Sequence, residues 1–372
     1  MGIKFLHTAD WHIGDAFKSI GGEAAVLLSQ ERFYMVEKIA RQAATGQVDA
    51  VLVAGDIFDY NVGNETFYKL INAMRHFTGE WVLIPGNHDS ACAGSIWKRL
   101  DTLSVPANVH CVIEPGILQL KNGEIQILCA PLQHRHESRD ITAGWPSLDT
   151  PAGSYRIGLA HGGVPERLPP NVEIENRVSV DCATMAGLDY LALGDWHGML
   201  SIDERTWYAG TPEPESFSQP NAGNVLMVSI GAPGALPRVE AIRTATHNWS
   251  KISFDIGHPE DVQTLDGLLS RLGDPSAQVS RLTITGAVDV ATRAQLDKVL
   301  EKCVALFRYL DADLSGLTIA ATVEDMNRIG AAGFLAEAIT RLQTIAADPN
   351  NSDSQFAPDA LQMLYRYAGE AQ

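Results

Sequence analysis

Five short segments of the chain combine aspartate, histidine or asparagine with glycine or tryptophan. They are Asp10-Trp11-His12, Gly55-Asp56 with Asp59, Gly86-Asn87-His88-Asp89, His161-Gly162-Gly163 and Gly194-Asp195-Trp196-His197. Mixed carboxylate, amide and imidazole ligands suit hard-to-borderline divalent ions such as Mn²⁺, Fe²⁺ or Zn²⁺. A carboxylate such as Asp56 can also bridge two ions about 3.5–4 Å apart, the arrangement used to hydrolyse phosphoesters. The residue types therefore predict a site for two metal ions.

One such segment is a weak signal by itself, because isolated polar residues after strands commonly serve in turns and caps. The set is a strong signal, since each segment follows a predicted strand. These strands are Ile3–Thr8, Ala50–Ala54, Trp81–Ile84, Arg156–Ala160 and Tyr190–Leu193. In α/β sheets, ligands gather at the carboxyl ends of strands, so we expect the five loops to converge on one point.

The first half of the chain alternates short β-rich runs with helical periodicity, which is typical of a layered α/β domain. Helices are predicted at Glu23–Ala44 and Glu65–Phe77. Further strands are predicted at Val109–Ile113, Ile117–Leu120, Ile125–Ala130, Trp207–Ala209 and Asn224–Ile230. We expect this domain to span residues 1–245.

The composition of the chain shifts after about residue 245. A small α+β domain is predicted over residues 246–329, with the strands Arg281–Gly286 and Gly316–Val323 on either side of the helix Ala291–Arg308. Two helices, Phe334–Ala346 and Pro358–Gly369, are predicted within residues 330–372. Their apolar positions could pack on the small domain or on a sister copy of the chain, or they could dock a partner.

Bulk composition restricts the class of protein. The net charge is −17 and there is no Lys/Arg run, so binding to DNA would need positive charge from a partner or a local patch. The five cysteines are scattered and form no CxxC pair, which favours a reducing cytoplasm over a disulfide framework. No apolar run approaches the roughly 20 residues of a membrane span. No signal peptide is recognisable, so we expect a cytoplasmic protein with no membrane partner.

The five segments, in their order, resemble the pattern of the calcineurin-like metallophosphoesterases, which is D-x-H, GD-x-x-D, GNH-D/E, H and GH-x-H. Within that superfamily the chain is most similar to the SbcD-type DNA repair exonucleases. The similarity rests on the segments HTADWHIG, LVAGDIFD, LIPGNHD, LALGDWHG and YAGTPEPESF. It covers about residues 1–230 and implies the metallophosphoesterase fold, a layered β-sandwich flanked by helices. The second domain matches the capping domain of these nucleases only in position and element order.

The resemblance also implies a role for each matching residue. One ion would be held by Asp10, His12, Asp56 and His197. The other ion would be held by Asp56, Asn87, His161 and the residue at position 195. His88 would protonate the leaving 3′ oxygen or stabilise the charge at phosphorus, with Asp59 orienting its ring. The implied reaction is hydrolysis of a phosphodiester by a water that two metal ions activate.

Position 195 departs from the family pattern, because Asp195 stands where histidine is expected. The second ion could be lost or weakly held. Alternatively the carboxylate is itself a ligand, which we favour because every other motif residue is present. A carboxylate favours harder ions, so Mn²⁺ is the expected metal, with Fe²⁺, Mg²⁺ and Zn²⁺ as alternatives.

Basic residues near the motifs could contact a substrate phosphate. They are Lys98, Arg99 and Arg135, for which a solvated surface position is an equal alternative.

Three functions stay open on the sequence alone. The main prediction is a metal-dependent DNA nuclease that works with an SbcC-type coiled-coil ATPase and could form a homodimer. The alternatives are a phosphodiesterase acting on small or nucleotide phosphoesters, which the acidity favours, and a catalytically weak subunit that scaffolds an ATPase. The YAGTPEPESF loop and the capping domain favour DNA over a small substrate.

Overall fold

A computed structural model of the chain describes residues 2–170, 174–319, 334–357, 360, 361, 363 and 364. The chain forms two compact units, Met1–Thr246 and His247–Gln372. All five Asp/His segments belong to the first unit. Among the helices of the described residues, none is long and apolar enough to cross a lipid bilayer.

The first unit contains two six-stranded sheets. Its strands, in chain order, are β1 (Ile3–Thr8), β2 (Ala50–Ala54), β3 (Glu80–Ile84), β4 (Val109–Cys111), β5 (Gly116–Leu120), β6 (Ile125–Ala130), β7 (Tyr155–His161), β8 (Tyr190–Gly194), β9 (Leu200–Ser201), β10 (Thr206–Tyr208), β11 (Asn224–Ile230) and β12 (Arg238–Arg243). Its helices are α1 (Gly22–Gly46), α2 (Asn64–Met74) and the short α3 (Cys182–Met185).

The strand order places the carboxyl ends of the site-bearing strands together. The first sheet has the order β12-β11-β1-β2-β3-β4, and the second has the order β5-β6-β7-β8-β10-β9. Strands β1 to β4 are parallel to one another, as are β6, β7 and β8. The end of β7 lies against the end of β2, where Nδ1 of His161 donates a hydrogen bond to the carbonyl of Ala54 at 2.8 Å.

Apolar layers hold the two sheets and the helices together. The inner faces of the sheets enclose a core that includes Phe5, Leu52, Ile157 and Tyr190. Side chains of α1 and α2 cover the other face of the first sheet. Because both faces of the central strands are covered, their sequences are continuous apolar runs, and all residues of β2 (AVLVA) are buried. This packing holds the strand ends, and hence the loops that follow them, in place.

The second unit contains a three-stranded parallel sheet in which β14 is central. Its elements are β13 (Asn248–Ile256), α4 (Pro259–Ser270), β14 (Gln278–Val288), α5 (Val290–Leu306), β15 (Tyr309–Ile319) and α6 (Phe334–Ala347). Helices α4 and α5 share a core with the sheet that includes Leu265, Ile284 and Leu296. In α6, Ile339 is buried with Leu361 in a small apolar cluster.

The predicted layered α/β fold is confirmed. Strands β12 and β13 and helix α4 were not predicted, because polar residues interrupt their apolar patterns and β12 is largely exposed. The strand predicted at Gly316–Val323 instead occupies Tyr309–Ile319, and residues 320–323 lie outside the described residues. Most of the predicted helix Pro358–Gly369 also lies outside them. The division into 1–245, 246–329 and 330–372, with a separate role for the last segment, stays a prediction.

Candidate metal centre

The seven predicted metal ligands lie at the carboxyl ends of five strands, where the structure brings them together. Asp10 and His12 follow β1, Asp56 follows β2, Asn87 follows β3, His161 ends β7, and Asp195 and His197 follow β8. Backbone hydrogen bonds join the first two loops, from Asp10 N to the carbonyl of Gly55 (3.1 Å) and from His12 N to the carbonyl of Asp56 (3.0 Å). The parallel strand order therefore produces the convergence expected from the sequence.

Three groups of side chains have ligand atoms that all lie within 4.8 Å of one another. The groups are Asp10, His12 and His197; His12, Asp56 and His88; and Asp10, Asp56 and His161. Asp10, His12 and Asp56 each belong to two groups, and the two carboxylates are candidates for the centre of the cluster. The resemblance assigns Asp10 to one ion only and His88 to neither. The groups in the structure differ from that assignment, because they include His88 and place Asp10 in two groups.

Asp56 lies among the imidazole rings and is 1% exposed. Its Oδ1 accepts the backbone N–H of His88 at 2.9 Å, while its Oδ2 lies 3.2 Å from His12 Nε2 and 3.5 Å from His161 Nε2. Burial alone would raise the pKa of Asp56, but the neighbouring His161 and His12 lower this pKa below its usual range. The carboxylate is therefore ionised and has one oxygen close to both imidazoles.

Asp10 is buried, and one of its oxygens has no partner. Its Oδ1 accepts the backbone N–H of Asp195 at 3.0 Å. Its Oδ2 has no hydrogen-bond partner among the residues that the structure describes. A buried carboxylate oxygen without a partner is costly, and burial accordingly raises the pKa of Asp10. A divalent cation would satisfy this oxygen, so the residues present fit a metal ion.

Asp195 lies at the edge of the same cluster. Its Oδ1 is 3.8 Å from Nε2 of His161, and the same nitrogen lies 2.7 Å from Oδ1 of Asn87. Because Nδ1 of His161 is bound to the carbonyl of Ala54, Nε2 is the ring nitrogen that faces these oxygens. Burial raises the pKa of Asp195 to about 6. The carboxylate thus lies beside His161, one of the ligands predicted for the second ion. Asp195 is outside the three tight groups, and its role as a ligand stays a prediction.

Protons on the histidines balance the carboxylates in the metal-free protein. Burial lowers the pKa of His161, but the carboxylates of Asp56 and Asp195 outweigh this effect and raise it to about 9. For His12, burial is likewise outweighed, by Glu215 and Asp56, and its pKa lies well above the usual value. A histidine must lose its extra proton before it can bind a metal ion. Divalent ions would then replace the positive charge of the protonated histidines, and the carboxylates would still have a cationic partner.

His88 lies at the solvent edge of the cluster, with 25% of its side chain exposed. Its Nδ1 donates a hydrogen bond to Asp59 Oδ1 at 3.0 Å. Its ring stacks on that of His12, with centroids 4.7 Å apart and an interplanar angle of 23°. Because Nδ1 is bound to Asp59, Nε2 is the atom that can exchange a proton with a substrate. This geometry suits the orienting role expected of Asp59.

Glu215 is a functional candidate that the sequence did not identify. Its carboxylate accepts a hydrogen bond from Nδ1 of His12 (2.8 Å), lies 3.0 Å from Nδ1 of His197 and pairs with Arg32 at 2.7 Å. Burial would raise the pKa of Glu215, but His12 and Arg32 hold it well below the usual range. Because Glu215 lies at the Nδ1 atom of both rings, Nε2 is the nitrogen of each ring that could bind a metal. The available signal was the YAGTPEPESF segment, which contains Glu215 but does not reveal its partners.

Asp89 ties two of the ligand loops together. Its Oδ1 accepts the backbone N–H of Gly86 at 2.7 Å, and its Oδ2 accepts those of Ile57 (3.1 Å) and Phe58 (3.2 Å). These bonds occupy both oxygens, so Asp89 supports the loops and is not a ligand candidate. A side chain at Gly86 would collide with the carboxylate and backbone of Asp56, which is why the GNHD turn needs glycine there.

The backbone is strained at several predicted ligands. The φ angles of Asp10, His12, Asp56 and Asp195 are 54°, 43°, 51° and 98°. Few residues other than glycine adopt such left-handed values, and each costs of the order of 1–3 kcal/mol and persists only where the surrounding structure imposes it. Strain of this kind clusters at functional sites. It supports the view that the loops are arranged for their side chains.

The three basic residues considered for phosphate binding lie in different settings. Lys98 forms an ion pair with Glu114 at 3.0 Å. Arg99 donates to Asn64 Oδ1 (3.1 Å) and to the carbonyl of Val62 (2.9 Å). Arg135 is exposed. Lys98 and Arg99 therefore already have partners, and substrate contact by any of the three stays a prediction.

Known proteins resemble more than half of this chain. The profile of the calcineurin-like phosphoesterase family matches residues 3–228. The D subunit of the nuclease SbcCD from Escherichia coli (strain K12) is 29% identical over 278 residues, which cover 64% of this chain and 67% of that protein. The protein of the same name from Staphylococcus saprophyticus is 29% identical over 245 residues, covering 58% of this chain and 62% of its own length.

A solved crystal structure, that of the protein TT1561 from Thermus thermophilus, aligns with a TM-score of 0.41 and 11% identity, covering 66% of this chain and 100% of that one. The family profile spans more than half of the chain, and the five motif segments lie within it. The chain therefore belongs to the calcineurin-like phosphoesterases, which are hydrolases of phosphoester bonds.

Proposed function

We propose that the chain is a metal-dependent nuclease that hydrolyses phosphodiester bonds of DNA. The observation that carries this proposal is the Asp/His cluster around Asp56 with the His88–Asp59 pair at its solvent edge. That arrangement suits the hydrolysis of a phosphoester. Similarity to the D subunits of two SbcCD nucleases supports DNA as the substrate.

The metal ligands follow from the cluster and from the motif pattern. We assign one ion to Asp10, His12, Asp56 and His197, and the other to Asp56, Asn87, His161 and Asp195. Two such ions, when bound, lower the pKa of water and stabilise charge at phosphorus. The hard carboxylate of Asp195 favours Mn²⁺ among the candidate metals.

His88 would supply the proton for the leaving group. Its Nε2–H, opposite the nitrogen bound to Asp59, passes its proton to the departing oxygen, which leaves the ring neutral. Asp59 holds the ring through Nδ1 and stabilises its charged form before the transfer. General acid catalysis of this kind contributes typically 10²–10⁴-fold to the rate.

The acidity of the chain bears on how DNA would be bound. With a net charge of −17, the chain itself offers DNA little positive charge. The name of the relatives, which are one subunit of SbcCD, indicates that a further polypeptide belongs to those nucleases. We propose that an SbcC-type coiled-coil ATPase supplies the basic surface here. A homodimer and a cytoplasmic location are further proposals from the same similarity.

A second candidate is a phosphodiesterase for small or nucleotide phosphoesters. It is favoured by the net charge and by the existing partners of Lys98 and Arg99, which leave these residues less available to a DNA backbone. A weakly active scaffold for an ATPase is the remaining alternative.

The deciding experiment assays the purified protein with Mn²⁺ on single-stranded DNA, double-stranded DNA and bis-p-nitrophenyl phosphate. The variant His88→Ala is measured beside it, with bound metal quantified in both proteins. We expect DNA cleavage that falls about 10²–10⁴-fold in the variant while metal content is kept.

Other outcomes would favour the alternatives. Cleavage of the small ester but of neither DNA would refute the nuclease and support the phosphodiesterase. Full metal occupancy with no turnover of any substrate would support the scaffold.

A further inference from the structure

A cavity of about 380 Å³ opens beside His88. Two loops line it: one after β2, which contains Tyr60 and Asn61, and one after β3, which runs from Ser90 to Ile96. Small-molecule sites in proteins measure about 300–1,000 Å³, so the cavity can take a group of nucleobase size. Because His88 is itself part of the wall, whatever binds there lies next to the proposed proton donor.

Tyr60 presents an aromatic ring at this cavity. Its side chain is 58% exposed, and its ring centroid lies 5.6 Å from that of His88. The rings of His12, His88 and Tyr60 therefore form a row that leads from the metal cluster to the cavity. The φ angle of Tyr60 is 67°, a strained value for a bulky residue. Exposure and strain together are unfavourable for a residue with only a structural role, which points to a function for the ring.

The remaining wall of the cavity is more apolar than polar. None of the described residues that line it is a lysine or an arginine. Its one acid, Asp89, has both oxygens bound to backbone N–H groups. A wall with an aromatic ring and no lysine or arginine suits a planar base better than a phosphate.

We propose that this cavity binds the nucleobase of the nucleotide whose leaving oxygen faces His88, with Tyr60 as the stacking surface. The inference rests on the proposed nuclease function and adds a base-binding site to it. Stacking on an aromatic side chain tolerates any base, because every base has a π-face. Such a site would hold the strand on one side of the cleaved bond without selecting a sequence.

Cys92 offers a probe of the cavity that does not depend on catalysis. It is exposed and lines the cavity, whereas burial raises the pKa of Cys111 and of Cys129 to about 12. The rate at which N-ethylmaleimide alkylates Cys92 is measured in Mn²⁺ buffer, with the modified peptide identified by mass spectrometry. Deoxyadenosine, which has no phosphoester to cleave, should slow the alkylation, and deoxyribose should not.

Variants of Tyr60 make the measurement specific. Tyr60→Asn removes the ring and places at φ 67° a residue that tolerates this conformation, so it should lose the protection without lowering the melting temperature. Tyr60→Phe keeps the ring and should keep the protection. Tyr34→Asn replaces another exposed tyrosine, on α1, and serves as the matched control that leaves protection unchanged.

Kinetics on DNA provide the second readout. Stacking is worth about 5- to 150-fold in binding per base, so Tyr60→Asn should raise KM for a single-stranded oligonucleotide by that factor. Because stacking is present in the ground state and in the transition state alike, kcat should change little. Tyr60→Phe should restore the wild-type KM.

The two readouts separate failure of this inference from failure of the proposed function. Equal protection of Cys92 in wild type and Tyr60→Asn, or no protection in either, would overturn the base site even if DNA is cleaved. Protection that depends on Tyr60 in a protein that cleaves no DNA would overturn the nuclease and leave a nucleoside site for small phosphoesters.

Discussion

The carboxylate of Glu215 supports two predicted metal ligands at once, and Glu215→Gln should weaken metal binding. Glutamine keeps the shape of the side chain but removes the negative charge that lies beside Nδ1 of His12 and Nδ1 of His197. Without it, neither ring is held with Nε2 directed at the metal. The loss should appear as weaker affinity for Mn²⁺ and as activity that returns at higher metal concentration.

The magnitude follows from the contacts. Replacing a single outer partner of a metal-binding histidine typically costs 10- to 100-fold in affinity, or about 1.4–2.7 kcal/mol. Since Glu215 serves both His12 and His197, we expect the upper end, about 100-fold. The metal-free protein should also lose stability, because Arg32 is fully buried and loses its ionic partner. Breaking such a buried pair costs about 3–5 kcal/mol, and the lower value is expected because Arg32 keeps its hydrogen bond to the carbonyl of Glu213.

The assay is calorimetric titration of the metal-free protein with Mn²⁺, together with urea unfolding in the absence of metal. Glu213→Gln is the matched control, since Glu213 is a buried acid of the same loop whose carboxylate accepts the backbone N–H of Thr246 at 2.6 Å. That variant should keep the Mn²⁺ affinity of the wild type. If Glu215→Gln binds Mn²⁺ within about twofold of wild type, then the carboxylate does not orient the ligands and the reasoning is refuted.

Three further predictions test other parts of the site and its support. Asp195→His should keep two bound ions but shift preference from Mn²⁺ towards Zn²⁺ in competitive binding; an unchanged preference would argue that position 195 is no ligand. Gly86→Ala should weaken metal binding and lower the free energy of unfolding by about 1–3 kcal/mol in urea titrations, because the added methyl group collides with Asp56. Gly116→Ala is the control and should not affect metal binding, since a methyl group there meets no neighbour within 4 Å. Burial lowers the pKa of His7 to about 3 from an ordinary value of 6.5, so the unfolded chain takes up the proton at higher pH than the folded one. His7 therefore contributes fully to the free energy of unfolding above about pH 6.5, and this contribution is smaller by about 2 kcal/mol at pH 5. In His7→Gln, the pH dependence of the free energy of unfolding, measured by urea titration, should be smaller by that amount.

Much of the site could be predicted because its ligands lie in short motifs directly after strands. The runs before Asp56 and Asp195 are continuously apolar, which marks central strands, and the glycine and acid that follow mark where each strand ends. The parallel order of β1, β2 and β3 then brings the loops to one edge. The same local signal failed at β12, whose edge position leaves it exposed and without a continuous apolar pattern.

The partners of Glu215 illustrate what local sequence does not contain. The loop offers two acids, Glu213 and Glu215, in nearly identical surroundings along the chain. In the folded protein the first accepts a backbone N–H from Thr246 and the second contacts His12 and Arg32, which is 183 residues away in sequence. The cavity beside His88 is also absent from local sequence patterns, because its walls come from two loops that follow different strands.

Apolar periodicity and strand-end motifs are local properties, so the layered α/β fold and the residue types around the metal centre could be predicted from the chain alone. Tertiary packing determines which acid lies beside the histidines, which buried oxygen of Asp10 is without a partner among the described residues and where the cavity opens. The physical reason is that burial, hydrogen bonding and charge pairing depend on distances between residues far apart in the chain, and packing sets those distances.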